Sequence, residues 1–200
     1  MSDFVSALER RHSQYAITGT SKVPDAELVE TIKRITLSVP SAFNSQSQRV
    51  VVLFGADHAR LWNIVKDALR DVAADEEAFA KTQAKIDAFA AGHGTVLFFD
   101  DTAVTTDLGV RFPLYAEHFP SYAEQSNGML QLAVWTALSE RGLGASLQHY
   151  HPLIDVAVRR DFALPATWSL MAQMPFGDVV RPAESSERID ADERVRVLGL

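Results

Sequence analysis

Apolar and polar positions follow two different periods along this chain, and each change of period marks an element. Phe4, Val5 and Leu8 give residues 3–11 a single apolar side, which predicts a short helix. Across residues 24–37, Leu28, Val29, Ile32, Ile35 and Thr36 recur at helical spacing, with Pro24 tolerable in the first turn. A polar stretch after Pro40, "SAFNSQSQ", leads into "RVVVLF" over Arg49–Phe54, whose β-branched density predicts a strand covered on both faces. Gly55 ends that strand. Leu61, Trp62, Val65 and Leu69 then predict a helix, and Phe79, Ile86 and Phe89 another over residues 76–90. "GHGTVLFF" reads as a turn followed by a second buried strand over residues 95–99.

The longest helical pattern begins at Pro120. Ser121 and Glu124 are spaced as a capping box, and Met129, Leu130, Leu132, Val134, Trp135 and Leu138 cover much of the circumference beyond them. Such a helix is expected to be buried widely, a subunit interface being one place for it, and to stop at Gly142. A third strand is expected over residues 145–150, a helix over Pro152–Phe162, and over Trp168–Gly177 a strand signal that meets a stop at Pro175. The tail beyond is charged and poorly periodic. No repeat, low-complexity tract or linker divides the chain, so the pattern predicts one domain, residues 1–200, of α/β or α+β class.

Composition narrows the function classes. At 200 residues and 47% hydrophobic, the chain can bury one substantial core. A formal charge of −7 argues against a broad nucleic-acid surface while leaving room for a small anion site. The absence of cysteine removes disulfides, thiolate catalysis and cysteine metal ligands. The first residues lack a signal peptide's apolar centre, and no stretch is long and apolar enough to span a bilayer, so the expected location is cytoplasmic.

Two groups of residues carry candidate chemistry. "SAFNSQSQ" has a plain reading as a surface turn, because Ser and Asn compete well for loop backbone groups. It also has a functional one: the amides of Asn44 and Gln46 each offer donor and acceptor to a heterocycle or to sugar hydroxyls. In "RRHSQY", Arg10 fits a solvated helix face or an ion pair, whereas Arg11 with Ser13 offers a guanidinium fork plus a hydroxyl for a phosphate. A distant "RVR" sets Arg194 and Arg196 on one side of an extended segment. Spacing alone does not bring the two arginine groups together.

"RHSQY", "PSAFNSQSQRVVVL", the aromatic-rich helix from Ser121, "GLGASLQHYHPLI", "MPFG" and the terminal "RVR" occur in one order and spacing over nearly the whole chain. In these the chain resembles the nitroreductase superfamily of flavin enzymes. Within it, the chain is most similar to the compact subgroup that includes fungal fatty-acid-repression and bacterial copper-induced nitroreductases. The resemblance implies a central, mostly antiparallel sheet flanked by helices, in an intertwined homodimer that shares two noncovalently bound FMN molecules. Carried over to this sequence, Arg11, Ser13, Arg194 and Arg196 would hold the phosphate. Tyr15 replaces the basic residue common there in the wider superfamily and would touch the flavin or ribityl chain. Asn44 and Gln46 would meet the isoalloxazine edge and ribityl chain, with Ser41 and Phe43 helping to form their loop. Gln148, His149 and Tyr150 would pass beside the flavin ring, with backbone amides there able to matter more than side chains.

The implied reaction is hydride transfer from NADH or NADPH to flavin N5, then reduction of a nitroaromatic or quinone in the vacated space. No side-chain nucleophile is needed, since the cofactor carries the electronic chemistry. Phe112, Tyr115, Phe119 and Tyr122 have two readings, as a stacking surface for a planar acceptor or as core. "GLGAS" lacks the complete dinucleotide fingerprint, and His149 with His151 has no convincing third ligand nearby, so no metal is expected. A flavin-binding redox sensor with little turnover and a cofactor-free structural dimer are the alternatives. Neither His-Glu-x-x-His nor Gly-x-Ser-x-Gly occurs to motivate hydrolysis.

Overall fold

The strand Gly94–Asp101 explains the layering of the molecule. Its alternate side chains go to opposite cores, Val96 and Phe98 to one and Leu97 and Phe99 to the other, and all four are fully buried. A strand whose central run, Val96–Phe99, is apolar on both sides needs cover on both faces. The computed structural model, which describes residues 3–184 and 187–199, provides that cover with helices.

In chain order the elements are α1 Phe4–Arg10, β1 Ile17–Thr18, α2 Asp25–Ser38, β2 Gln48–Phe54, α3 Gly55–Val72, α4 Glu76–Ala90, β3 Gly94–Asp101 and α5 Thr102–Arg111. They continue with α6 Phe119–Glu140, β4 Leu143–Ala145, α7 Asp155–Asp161, β5 Trp168–Val179 and α8 Ala191–Arg194. Short 3-10 turns occupy Ala42–Asn44 and Pro113–His118. The sheet runs β1–β5–β3–β2, with β4 on the other edge of β5, and every strand pairing is antiparallel. The antiparallel sheet with separate helices decides the class as α+β.

One face of the sheet is covered by α2 and α6 through Leu28, Ile32, Leu130, Val134 and Leu138. The other face is covered by α3, α4 and α7 through Leu61, Trp62, Val65, Ile86, Phe89 and Val158. Each such side chain contributes roughly 1.5–3 kcal/mol by leaving water. Trp62 and His58 also bring polar atoms into the α3 side. Trp62 Nε1 donates to Thr95 Oγ1 at 3.0 Å, His58 Nδ1 lies 2.9 Å from the same oxygen, and His58 Nε2 lies 3.1 Å from Ala90 O. Ala90 O can only accept, so Nε2 carries a proton, and with burial favouring the neutral ring Nδ1 is left to accept from Thr95. His58 is therefore the neutral Nε2–H tautomer, donating to Ala90 O.

Four sequence expectations are corrected here. Ser121 does not cap α6: the 3-10 turn runs straight into the helix, His118 already has helical angles, and Ser121 Oγ instead accepts from Gln125 Nε2. Residues 145–150 are not a continuous strand. β4 stops at Ala145, Ser146 N reaches Pro175 O at a long 3.4 Å, and paired bonding resumes at Gln148, which exchanges both backbone bonds with Gln173 at 2.7 and 2.9 Å. Pro175 does not stop β5. Counting on from the Gln148–Gln173 pair, its missing N–H falls on the outer edge opposite Ser146, so the ladder to β3 survives and the break falls in β4. The helix expected over Pro152–Phe162 begins only at Asp155, after a turn that contains a cis His151–Pro152 bond.

Gly142 ends α6 as expected, with φ +73 just past the last helical turn. Gly177 serves packing instead. A Cβ there would lie 2.1 Å from the Thr18 carbonyl oxygen, so only glycine lets β1 close on β5. α6 buries Leu130, Val134 and Leu138 but leaves Met129 43% and Leu132 40% exposed. These two line an apolar groove of about 650 Å³ with Phe4, Leu8, Ile35 and Val39. Among the described residues, no helix is long and apolar enough to cross a membrane.

Candidate functional site

The segment after α1 is held against β4, and this places Arg11 and Ser13. Ser13 pairs with Ala145, Gln14 N donates to Ala145 O at 2.9 Å, and Trp135 Nε1 donates to the same oxygen at 3.1 Å. The Arg11 guanidinium then lies over the fixed Trp135 ring, 4.2 Å from its centroid. The C-terminal segment is brought back to the same place. Val180 N donates to Ala16 O and Ala183 N to Gln14 Oε1, which carries the chain beyond β5 over α1.

The result is a cleft of about 760 Å³ lined by Arg11, His12, Ser13, Tyr15, Arg188 and Arg194. Glu9 and Glu184 also lie along it, so its positive charge is concentrated rather than uniform. Arg11 Nε is buried without a hydrogen-bond partner. Burial, and after it the charge of Arg188, lowers the Arg11 pKa from its usual value. A buried guanidinium N–H with no acceptor, beside a second arginine, is an arrangement that an anion would complete. Of the predicted phosphate group, Arg11, Ser13 and Arg194 are brought together with Tyr15, while Arg196 lies outside this lining on the exposed tail. Arg10 takes its ion-pair reading, 2.9 Å from Glu140.

The polar loop lies elsewhere. Asn44 N donates to Ser41 O, Ser45 N to Ala42 O and Gln46 N to Ser41 Oγ, at 2.9–3.0 Å. Asn44 and Gln46 are both exposed, and both have φ +49. Each left-handed non-glycine residue costs about 1–2 kcal/mol, so this backbone is held by its surroundings. Phe43, at φ +56, packs its ring 5.0–5.4 Å from the rings of Phe112, Tyr115 and Phe119. Phe119 is buried, Tyr115 is 44% exposed, and Tyr122 stacks on His118 at 5.9 Å. The four predicted acceptor residues thus form one cap, of which Phe119 is the core member. None of the loop residues lines the Arg11 cleft. From Phe119 to Trp135, α6 rises roughly 24 Å at about 1.5 Å per residue, so one chain keeps the two groups apart.

The third predicted group is tied into β5. Gln148 is buried and donates through Nε2 to Ser146 Oγ at 3.0 Å, and Tyr150 N donates to Gln173 Oε1 at 2.8 Å. The amides on either side of His149 are therefore used within the chain. The Tyr150 ring packs beside Trp62 in the α3-side core, where burial pushes its pKa to about 12. Burial, then the neighbouring His151, lowers the pKa of His149, whose ring lies 5.8 Å from that of His151. Among the described residues no group of three His, Cys, Asp or Glu is placed to hold a metal ion.

The model of the nitroreductase family matches residues 8–178. The chain belongs to the nitroreductase family. It is 33% identical over 196 residues to HBN1 of Saccharomyces cerevisiae, covering 96% of both chains, and 32% identical over 179 residues to the nitroreductase FRM2 of that yeast, covering 88% and 87%. It is also similar to the nitroreductase CinD of Lactococcus lactis, at 42% identity and TM-score 0.88 over 98% of this chain and 100% of that one, in a structure with chloramphenicol. Further structures of CinD hold 4-nitrophenol, at TM-score 0.87, and nicotinic acid, at 0.84.

Two residues of this nitroreductase-family chain escape a reading of its sequence. Arg188 faces Arg11, yet in the sequence it is a single basic residue in a charged tail without periodicity. Arg49 looks like the first residue of a buried strand, but its guanidinium folds back to donate to Gln46 O at 2.7 Å and to Asp101 Oδ2 at 3.0 Å. An arginine at the junction of polar loop and strand was the available signal for Arg49.

Proposed function

We propose that this protein is an FMN-dependent oxidoreductase that passes a hydride from NADH or NADPH to small planar acceptors of the nitroaromatic or quinone class. The observation that carries this reading is the Arg11 cleft. Its buried, unpartnered guanidinium N–H, the neighbouring Arg188 and Arg194 and the Ser13 hydroxyl suit a phosphate monoester. Membership of the family and the nitro and nicotinic ligands of CinD support the flavin and the acceptor class.

In this reading the chain's residues bind and orient. Arg11, Ser13, Arg188 and Arg194 hold the phosphate end, with Arg196 reaching it from the tail. Tyr15 borders the same end. Asn44 and Gln46 offer their amides to the edge of the ring system, while Gln148, His149 and Tyr150 flank the ring. Phe112, Tyr115, Phe119 and Tyr122 form the wall against which a planar acceptor stacks. FMN, when bound, supplies the hydride-accepting centre. Because the phosphate cleft and the polar loop lie far apart on one chain, the complete site takes the cleft from one protomer and the loop from its partner in a homodimer. The apolar groove beside Met129 and Leu132 is the face that the partner covers.

The test is an anaerobic half-reaction. The purified protein should be yellow, bleach rapidly on mixing with NADH or NADPH, and regain flavin absorbance when 4-nitrophenol or a quinone is added. Flavin binding without bleaching would favour a redox sensor instead, and a protein that takes up no FMN would remove the oxidoreductase reading.

A further inference from the structure

Three of the four non-glycine residues with positive φ among the described residues, Phe43, Asn44 and Gln46, fall within the polar loop. Asparagine tolerates this backbone, but for a bulky aromatic residue it is a rare outlier. Such a conformation persists only where the surroundings over-determine it. For Phe43 those surroundings are three rings. Phe112 at the end of α5 lies 5.0 Å away, Tyr115 of the 3-10 turn 5.4 Å, and Phe119 at the start of α6 5.2 Å. Yet Phe43 is itself 46% exposed, against 2% for Phe119 beneath it. Its ring lies on the cap rather than within the core.

The other end of the loop is tied to the same cap. Arg49 donates to Gln46 O and pairs with Asp101, and Asp101 accepts from Ala103 N at the start of α5. Loop and cap are therefore joined at both ends of α5: at Asp101 through Arg49, and at Phe112 through Phe43. Asn44 and Gln46, the two exposed amides, lie between these attachments.

We infer that Phe43 is a positioning residue. Its ring, seated on Phe112, Tyr115 and Phe119, holds the loop backbone left-handed and so aims the Asn44 and Gln46 amides at the ring end of the flavin. The inference rests on the FMN reading above. It also means that the acceptor wall and the cofactor loop form one mechanical unit.

The test compares Phe43→Gly, Phe43→Leu and Phe43→Tyr by fluorescence titration with FMN and with riboflavin, alongside the melting temperature of each. Glycine accepts this backbone without steric cost but also frees the loop, whereas Phe43→Leu removes the ring without that added freedom. Leucine keeps an apolar side chain of similar size, and tyrosine keeps the ring. Phe43→Gly and Phe43→Leu should weaken FMN and riboflavin alike by about tenfold, the scale of one amide hydrogen bond. Phe43→Tyr should stay close to wild type. A loss confined to FMN would place the effect at the phosphate and overturn the inference. So would Phe43→Leu binding like wild type, because bulk alone would then suffice, and this arm stands even if Phe43→Gly does not fold. Wild-type protein that binds neither flavin would overturn the functional reading, and this inference with it.

Discussion

Arg188 and Arg11 share a cleft whose like charges repel, and that repulsion is a cost unless an anion lies between them. A charge-assisted contact contributes about 1.5–3 kcal/mol, so Arg188→Ala should raise the FMN dissociation constant by at least about tenfold. Riboflavin binding should be unchanged, because it lacks the phosphate. Equal effects on the two ligands would remove Arg188 from the phosphate site. His58 makes a different prediction. Burial lowers its pKa in the folded chain below the ordinary value near 6.5. A depressed folded pKa contributes stability that is complete above about pH 6.5 and is lost as pH falls from there through the folded value. His93 works the other way. Burial pulls its pKa down, but Asp25, 2.6 Å away, and Gly19 O outweigh that and raise it, so its contribution is present in acid and lost as pH rises. The urea midpoint of wild type should therefore fall from pH 7 to pH 5 more than that of His58→Gln. Parallel curves would show that His58 does not carry the dependence. At this scale Arg11 and Ser13 were legible because a basic fork and a hydroxyl stand two residues apart, whereas Arg188 depends on a return of the chain that no local spacing records.

Among the elements, β2, β3, α3 and α4 were legible because their apolar residues must follow the period of the face they bury. The misreadings came from motifs whose meaning depends on what precedes them or lies opposite in the fold. Ser121 and Glu124 have capping-box spacing, but a cap needs an extended residue, and the preceding turn had already started the helix. Pro175 looks like a terminator until β5 is seen to have an edge where its missing N–H does little harm. Gly177 likewise owes its necessity to β1, far away in sequence. Gly177→Ala should destabilise the fold by about 3 kcal/mol, because the new Cβ meets a backbone carbonyl rather than a side chain that can move. Chemical denaturation measures this, and a loss under roughly 1 kcal/mol would show that β1 shifts freely on β5.

For the whole molecule, α6 carries two surfaces: one seals the sheet, and the other, with Met129 and Leu132, borders an open apolar groove. Replacing both exposed residues by aspartate would place two charges in the proposed dimer face at little cost to a free protomer. Met129→Asp/Leu132→Asp should therefore elute at half the mass of wild type, if the proposed dimer face is right, with unchanged helix content. A double variant that stayed dimeric would move the interface elsewhere on the surface.

The strand order carries a consequence for how the chain is made. β5 is the last strand in sequence among the described residues, and β1, β3 and β4 all pair with it. On the ribosome, β2 and β3 can meet early, and β4 can meet the segment around Ser13, but β1 has no strand partner, and β4 only that one bridge, until residues up to Val179 leave the exit tunnel. Between the synthesis of β3 and that of β5, then, the nascent chain exposes an unfinished sheet edge and one of its most apolar strands, the state in which chaperones bind and unwanted association begins.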